Sequence, residues 1–211
     1  MLIWLVLIPL IAAALIGLCK APARPTALLS ASLTLALGIW ALVSFDGCSS
    51  CWSRFEGMDL QLTLAPALSK VMLLLTILVT FATVLGTNPP QGGEASWYNS
   101  ALLISAGATG AFLSDNIISF FAFHELALIP TFVMIGLYGR GDRRTTAWRA
   151  TLYLGLASMV LLAALLMIGT QAGFTFSGLK DFMASGRELA HAELIGALLI
   201  AGFGTLISLF P

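Results

Sequence analysis

The sequence predicts an all-α, polytopic bundle of transmembrane helices, and three observations support this fold class. First, 59% of the 211 residues are hydrophobic and only 9% are charged, against about 25% charged residues in a typical soluble domain. Second, the apolar residues lie in stretches of about 20, the length that a helix needs to cross a bilayer. Third, no segment between these stretches is long enough to form a core of its own. We therefore expect a single transmembrane domain over residues 1–211.

Seven apolar stretches predict the helices, six of them complete and the seventh cut short. The first stretch starts at the first residue, without the positive segment that precedes the apolar run of a cleaved signal peptide, so we expect a retained helix. Turn-forming residues separate the later stretches, as in the connection that contains Pro89, Pro90, Gly92 and Gly93. The predicted helices cover residues 1–18, 26–46, 65–86, 98–114, 115–138, 147–170 and 192–211.

The two longest polar connections, residues 47–61 and 171–190, carry further features. The first contains Cys48 and Cys51, a Cys-x-x-Cys pair without the second pair that a zinc site of this type needs. The two cysteines could form a local disulfide or remain two free thiols. We predict no metal or redox site there. The second contains Ser177, which could cap one or two turns of a helix at the membrane surface.

The stretch 115–138 carries a carboxylate, Glu125, near its middle. A central Asp, Lys or Arg costs a membrane helix roughly 2.5–3.5 kcal/mol, and intramembrane charges therefore usually mark an ion or proton path. Pro130 lacks the N–H that would bond the carbonyl of Leu126, which predicts a kink and a place for water beside the acid. Glu125 could instead be a structural acid bonded to a neighbouring helix. His124 lies about 100° round the helix from Glu125, so we interpret it as a packing or headgroup-side residue rather than a member of a proton relay.

The segments next to this stretch have features of packing and of the membrane surface. Asp115 could cap the first backbone donors of the central helix. Arg149 lies one turn inside the sixth stretch, where an arginine either snorkels to the interface or pairs with an acid, and snorkelling is the simpler interpretation. Small residues in the fourth stretch should let a neighbouring helix approach closely. They are Ser105, Gly107, Ala108, Gly110 and Ala111.

The charges exclude one class of partner and predict an orientation. Lys and Arg together number 10, and so do Asp and Glu, so no basic excess indicates binding of nucleic acid. Basic residues prefer cytoplasmic connections, and they are more frequent in the first and fifth connections than on the opposite side. This bias places the N-terminus and the Cys-containing connection outside. The cytoplasmic set would be Lys20, Arg24, Arg140, Arg143 and Arg144, with Arg149 nearby.

One run of residues resembles the antiporter-like membrane subunits of respiratory complex I, most of all chain M, also called subunit 4. The run Phe120–Pro130 reads Phe-Phe-Ala-Phe-His-Glu-Leu-Ala-Leu-Ile-Pro, and the family's pattern F-x-x-F-x-E-x-x-L-I-P marks its fifth transmembrane helix. The resemblance is specific over residues 112–153 and at the last ten positions. Further matching residues are Ile135, Gly136, Gly139, Arg143, Arg144, Arg149, Leu152, Tyr153, Gly202, Phe203, Leu209, Phe210 and Pro211.

The resemblance implies a function. The parent complex couples electron transfer from NADH to quinone with proton translocation, and Glu125 matches the family's proton-channel glutamate, so it would be the proton carrier. Pro130, Arg149 and His124 would be supporting residues. The subunit would bind no flavin, haem or iron–sulfur cluster, and its partners would be other membrane subunits and the lipid bilayer. The expected location is the bacterial inner (cytoplasmic) membrane.

Two departures from the family pattern leave alternatives open. Leu206 stands where the seventh helix of the family usually has a lysine, and Ser208 replaces a proline. The chain also ends inside an apolar stretch, which we interpret as the first half, itself incomplete, of an inverted-repeat fold like those of other transporters. The alternative functions are a subunit of a multisubunit sodium/proton antiporter or membrane-bound hydrogenase, and a structural or assembly subunit that does not pump.

Overall fold

The structure, a computed structural model, describes residues 2–44, 49–55, 58–64, 67–89 and 92–207. Within these ranges the chain forms eight helices and one two-stranded antiparallel sheet. In chain order the elements are α1 (Ile3–Gly17), α2 (Ala23–Ser44), β1 (Ser49–Phe55), β2 (Met58–Thr63), α3 (Ala67–Gly86), α4 (Glu94–Leu113), α5 (Ile117–Tyr138), α6 (Arg143–Ala172), α7 (Phe176–Ala184) and α8 (Ala192–Leu206).

The predicted helical membrane bundle is confirmed. Four helices, α2, α3, α5 and α6, are long and apolar enough to cross a membrane, and α1 and α8 are shorter apolar helices of 15 residues each. The largest differences from the predicted helix limits are at the starts of α4 and α6, each four residues earlier than the apolar stretch, and at the end of α8, which is Leu206 instead of residue 211. In α6 the extra turn forms because Asp142 accepts a hydrogen bond from the Thr145 amide (3.3 Å) and thereby caps the helix.

A β-hairpin replaces most of the polar connection predicted at residues 47–61. β1 and β2 pair from Ser49 opposite Thr63 to Phe55 opposite Met58, with an irregularity between Cys51 and Ser53. The prediction of a loop there was wrong, because backbone pairing between two short strands does not require the long apolar runs that we used to find helices. The state of the Cys48 and Cys51 thiols lies outside the described residues.

The connections between helices gather at two opposite ends of the bundle. At the hairpin end, the turn between α4 and α5 forms isolated bridges to both neighbours, Leu62 with Ser114 and Asn116 with Thr175. At the basic end, the Tyr138 hydroxyl donates a hydrogen bond of 2.5 Å to the Gly93 carbonyl oxygen, which ties the end of α5 to the start of α4. The basic end is defined by the described residues 18–22, 87–89, 92–93 and 139–142 of the connections, and its cations are Lys20, Arg24, Arg140, Arg143 and Arg144.

α4 lies at the centre of the bundle, in contact with α1, α2, α3 and α5. Its small residues make these contacts close, as the sequence predicted. The Thr80 hydroxyl of α3 donates a hydrogen bond of 2.9 Å to the Ser105 hydroxyl, and a Cβ at Gly107 would lie 2.7 Å from the Phe123 carbonyl oxygen of α5. α4 therefore fixes the position of α5, the helix that carries the central acid.

Candidate functional site

Two side chains, those of Asp115 and Asn116, form hydrogen bonds at the start of α5, and their roles differ from the prediction. Asn116, not Asp115, caps α5: its side-chain oxygen accepts hydrogen bonds from the amides of Ile118 (2.8 Å) and Ser119 (3.3 Å). Asp115 points to α7 instead, where its carboxylate accepts hydrogen bonds from the Ser177 amide (3.2 Å) and the Ser177 hydroxyl (2.7 Å). The prediction was wrong because either acid or amide can cap, and the extended backbone of Asn116 decides which one does.

The predicted surface helix is present as α7, but its cap is also displaced. Thr175, two residues before Ser177, accepts the hydrogen bond from the Gly178 amide (3.1 Å). None of the residues of α7 is buried within the described structure. The α7 segment is thus anchored by its first turn, through Asp115, to the same turn that starts α5.

Glu125 lies eight residues into α5, about 12 Å from the start of the helix at 1.5 Å per residue. Its side chain is 36% exposed, yet its Oε1 atom is buried and has no hydrogen-bond partner among the described residues. A buried carboxylate oxygen without a donor is costly. The carboxyl group therefore has an oxygen that lacks, within the described structure, the hydrogen-bond donor that its burial calls for.

His124 is closer to Glu125 than the helical geometry led us to expect. Its Nδ1 atom lies 3.5 Å from Glu125 Oε1, and Nδ1 too is buried without a hydrogen-bond partner in the described part of the chain. The Phe120 and Phe121 rings flank the imidazole at centroid distances of 6.3 and 6.4 Å. Side-chain rotamers bring the tips of the two residues together although their backbones are about 100° apart round the helix.

Pro130 is buried, and α5 continues through it to Tyr138. The proline has no N–H to bond the Leu126 carbonyl. The next residue, Thr131, donates a hydrogen bond of 2.8 Å to the Ala127 carbonyl oxygen. The turn that follows Glu125 therefore contains both a carbonyl group, that of Leu126, without its usual helical N–H partner and a hydroxyl group.

Two glycines of α4 hold this part of α5 in place. A Cβ at Gly107 would meet the Phe123 carbonyl oxygen at 2.7 Å and the Ala127 amide nitrogen at 2.8 Å, so the backbones on both sides of Glu125 contact α4 directly. A Cβ at Gly110 would overlap the Phe123 ring. The position of Glu125 thus depends on the absence of side chains on α4.

Arg149 lies at the basic end and not beside Glu125. It is exposed, and the described residues include no ion pair between it and Glu125. The side-chain and backbone hydrogen bonds from Thr145, and to a smaller extent the charge of Arg149, lower the pKa of Asp142 below its ordinary value. The ionised Asp142 carboxylate therefore stabilises α6 fully at neutral pH. This stabilisation is lost only as the pH falls through the lowered pKa of Asp142. Snorkelling of Arg149 to the membrane interface stays a prediction.

A cavity of about 150 Å³ lies between α5 and α6 on the side of Glu125. Besides Glu125, its lining includes the hydroxyl-bearing residues Thr131 and Thr151 and the small residue Gly155. Sequence reasoning missed this cavity and both threonines, since isolated threonines in apolar stretches are ordinary packing residues. Residue spacing places Thr151 and Gly155 on one face of α6, but it does not give the separation of α5 and α6 that opens the cavity.

Two further observations concern the remaining candidate residues. Leu206, at the end of α8, is half-buried and packs in the apolar cluster around Ile117, Leu161 and Ile195, so no cation stands there.

In the described ranges, no group of three or more His, Cys, Asp or Glu side chains could hold a metal ion.

Comparisons with known proteins agree with the resemblance. Residues 114–211 match the family described as NADH:quinone oxidoreductase/Mrp antiporter, transmembrane. Chain 4 of an NAD(P)H-quinone oxidoreductase from Microcystis aeruginosa is 29% identical over 150 residues, which are 68% of this chain and 26% of that protein. Subunit M of the F420H2 dehydrogenase from Methanosarcina mazei is 25% identical over 168 residues, 75% of this chain and 34% of that subunit. This chain thus spans about a quarter to a third of the length of these relatives.

A solved structure shows the same fold. One chain of respiratory complex I from Thermus thermophilus with bound NADH matches 99% of this chain and 43% of its own length, with a TM-score of 0.79 and 24% sequence identity. The family match covers α5, α6 and the candidate site, including Glu125, His124 and Pro130. The resemblance found in the sequence is therefore confirmed: this integral membrane protein is similar to chain 4 of NAD(P)H-quinone oxidoreductases and to subunit M of the F420H2 dehydrogenase, and its residues 114–211 match the NADH:quinone oxidoreductase/Mrp antiporter family.

Proposed function

We propose that this chain is part of a proton-translocating membrane subunit of a complex I-like NADH:quinone oxidoreductase, and that Glu125 carries the proton. The observation that supports this most is the buried, unbonded Oε1 atom of Glu125, inside a membrane-spanning helix of the segment that matches the family. A proton carrier must exchange its proton, so it cannot be locked into a fully satisfied hydrogen-bond network.

His124 is the supporting group next to Glu125. The 3.5 Å separation between its Nδ1 atom and Glu125 Oε1 is slightly longer than a hydrogen bond, and a small rotation of either side chain would close it. An imidazole can both accept and donate a proton near neutral pH. His124 is therefore suited to pass a proton to or from Glu125. Pro130 removes the usual helical N–H partner of the Leu126 carbonyl, and Arg149 is exposed at the basic end of α6.

The larger assembly belongs to the same proposal. We propose that the described helices form the first half of an inverted-repeat antiporter-like bundle of six complete helices and a seventh, with other membrane subunits as partners and no cofactor in this subunit. The burial pattern of α5 supports further partners, because only Ile117 and Pro130 of its 22 residues are buried within the described structure. A helix with a central acid needs more cover than this in a membrane.

A subunit of a sodium/proton antiporter or membrane-bound hydrogenase is the second candidate, and the description of the matched family, which names both NADH:quinone oxidoreductases and Mrp antiporters, supports it. Affinity purification of the full-length protein in mild detergent, followed by mass spectrometry, separates the two. We expect peripheral subunits that oxidise NADH to copurify in stoichiometric amounts. Copurification with membrane antiporter subunits alone would favour the second candidate.

A non-pumping scaffold is the third candidate, and Leu206 is the observation that favours it. The cation that the family usually has at this place is replaced by a side chain that packs in an apolar cluster. A scaffold would need the bundle but not the acid, so its function would survive the loss of Glu125. The Glu125 variants described in the Discussion separate this candidate from the first.

The proposed orientation puts the N-terminus and the hairpin end outside and the basic end in the cytoplasm, in the bacterial inner membrane. We expect a single cysteine in residues 47–61, in a background without Cys19, Cys48 and Cys51, to react with a membrane-impermeant thiol reagent added from outside. A cysteine at Gly141 should react only after the membrane is opened. The reverse pattern would invert the orientation.

A further inference from the structure

We propose that the cleft between the end of α1 and the start of α4, at the basic end, binds the headgroup of a phospholipid that carries both a phosphate and a primary ammonium group, the phosphatidylethanolamine class. The cleft has a volume of about 560 Å³. Sites for small molecules commonly measure about 300–1,000 Å³, so a lipid headgroup fits. This inference goes beyond the proposed function, because it needs neither Glu125 nor proton transfer.

Glycine and alanine form much of the wall of this cleft, which leaves its space open. The small lining residues are Gly17, Ala21, Ala23, Gly92 and Ala95. A Cβ at Gly17 would lie 3.2 Å from the Asn99 Nδ2 atom, so α1 and α4 approach each other closely at this level. Of the lining residues on α4, Asn99 is the furthest from the start of the helix. Its amide group therefore lies against α1 at the inner end of the cleft.

The polar groups of the lining call for a ligand with both a negative and a positive charge. Lys20 and Glu94 are exposed, and they form no ion pair with each other in the part of the chain that the structure describes. Asn99 Oδ1 is buried and has no hydrogen-bond partner among the described residues, and a buried acceptor needs a donor. A simple anion would be repelled by Glu94 and would leave Asn99 Oδ1 unsatisfied. A simple cation would be repelled by Lys20.

Both charges of a phosphoethanolamine headgroup have partners in this lining. The Lys20 ammonium and the Ser96 hydroxyl can donate hydrogen bonds to the phosphate. The first amides of α4 add further donors, because the N-cap residue Gly93 has no side chain to bind them. The ammonium of the headgroup can donate to Asn99 Oδ1 and pair with the Glu94 carboxylate.

An exposed apolar stripe on α1 indicates a lipid rather than a soluble phosphate ester. Leu18, next to Gly17 of the lining, is 84% exposed. Leu15 and Ile11 are also exposed, and their spacing places them on the same side of the helix as Leu18. The stripe is about 10 Å long at 1.5 Å per residue. An acyl chain can therefore lie along α1 while the headgroup occupies the cleft.

Photo-crosslinking in reconstituted vesicles tests the site in the full-length protein within its complex. The probes are phosphatidylethanolamine, phosphatidylcholine and phosphatidylglycerol, each with a diazirine on one acyl chain, and mass spectrometry measures the labelling of residues 11–18. Phosphatidylcholine has the same two charges but no N–H on its ammonium, and phosphatidylglycerol has no ammonium. Because each lacks a charged hydrogen bond to the cleft, we expect phosphatidylethanolamine to label these residues about tenfold more than either.

Variants of the lining assign the contacts. Asn99→Leu removes the acceptor and should lower the labelling by phosphatidylethanolamine to that by phosphatidylcholine, whereas Asn99→Asp keeps an acceptor oxygen and should preserve the preference. Lys20→Gln should lower the labelling by all three lipids, because all three carry a phosphate. Lys180→Gln is the matched control, since Lys180 is exposed on α7 at the hairpin end, and it should change nothing.

Equal labelling by the three lipids would overturn the site, and so would native labelling of an Asn99→Leu complex that assembles on native gels. If Asn99→Leu does not assemble, Glu94→Gln at its exposed position decides instead. It should lower the labelling by phosphatidylethanolamine and leave that by phosphatidylglycerol unchanged, and unchanged labelling by both would contradict the site. A Glu125→Gln complex should be labelled like the native one, so its pumping rate bears on the proposed function alone.

Discussion

Replacement of Glu125 by glutamine in the full-length protein within its complex is expected to reduce proton translocation to less than about a tenth of the native rate, the scale of loss expected when a general acid is removed. Glutamine has nearly the shape of glutamate and can form hydrogen bonds of its own, but it cannot release a proton. Assembly should therefore remain nearly intact. The measurement is proton uptake or release by reconstituted vesicles during turnover, with the assembled complex quantified on native gels.

Two further variants complete this experiment. Glu125→Ala should reduce assembly as well as pumping, because it removes the side chain that faces His124 and leaves the polar groups around it unsatisfied. Leu137→Met, on the same helix but 49% exposed and outside the site, should change neither. Normal pumping by the glutamine variant would make Glu125 a packing residue and favour the scaffold function.

Replacement of Gly107 by leucine is expected to prevent the bundle from forming its native contact between α4 and α5. The atoms that a side chain at Gly107 would meet are the Phe123 carbonyl oxygen and the Ala127 amide nitrogen, at 2.7 and 2.8 Å, and backbone atoms inside a helix cannot move aside alone. Even Gly107→Ala should lower the free energy of unfolding by about 1–3 kcal/mol, the usual cost of overpacking. The larger leucine should keep the protein from accumulating in the assembled complex.

Thermal unfolding in detergent and the amount of assembled complex measure this effect. Gly196→Ala in α8 is the matched control, because a Cβ there would meet no heavy atom within 4 Å, and we expect no loss of stability. A Gly107→Leu protein with native melting behaviour would contradict the close contact between α4 and α5. It would also remove the reason why Glu125 is held where it is.

The sequence predicted those parts of the fold whose signal is a sum of hydrophobicity over neighbouring residues. Apolar residues summed over about 20 positions mark a membrane helix regardless of their neighbours, so the main helices could be found. The hairpin could not, because its pairing of β1 with β2 depends on which two segments meet. The capping residues were misplaced for a related reason, since the choice between Asp115 and Asn116 depends on the local backbone and on Ser177, which is distant in sequence.

The candidate site was predictable in its charge but not in its surroundings. Glu125 was conspicuous because a carboxylate is rare in a membrane helix, and Pro130 because it cannot bond like other helical residues. The approach of His124 to Glu125 depends on rotamers, and the cavity beside Thr151 and Gly155 depends on the separation of two helices. Neither quantity can be read from residue spacing in one sequence.

Infrared difference spectroscopy of the full-length complex during turnover tests the central claim most directly, because it observes the protonation of a carboxyl group itself. The account predicts a carboxyl C=O band that appears and disappears during turnover, shifts in a Glu125→Asp variant and is absent in Glu125→Gln. The same carboxyl band in the native complex and in the Glu125→Gln variant would contradict the claim that Glu125 carries the proton.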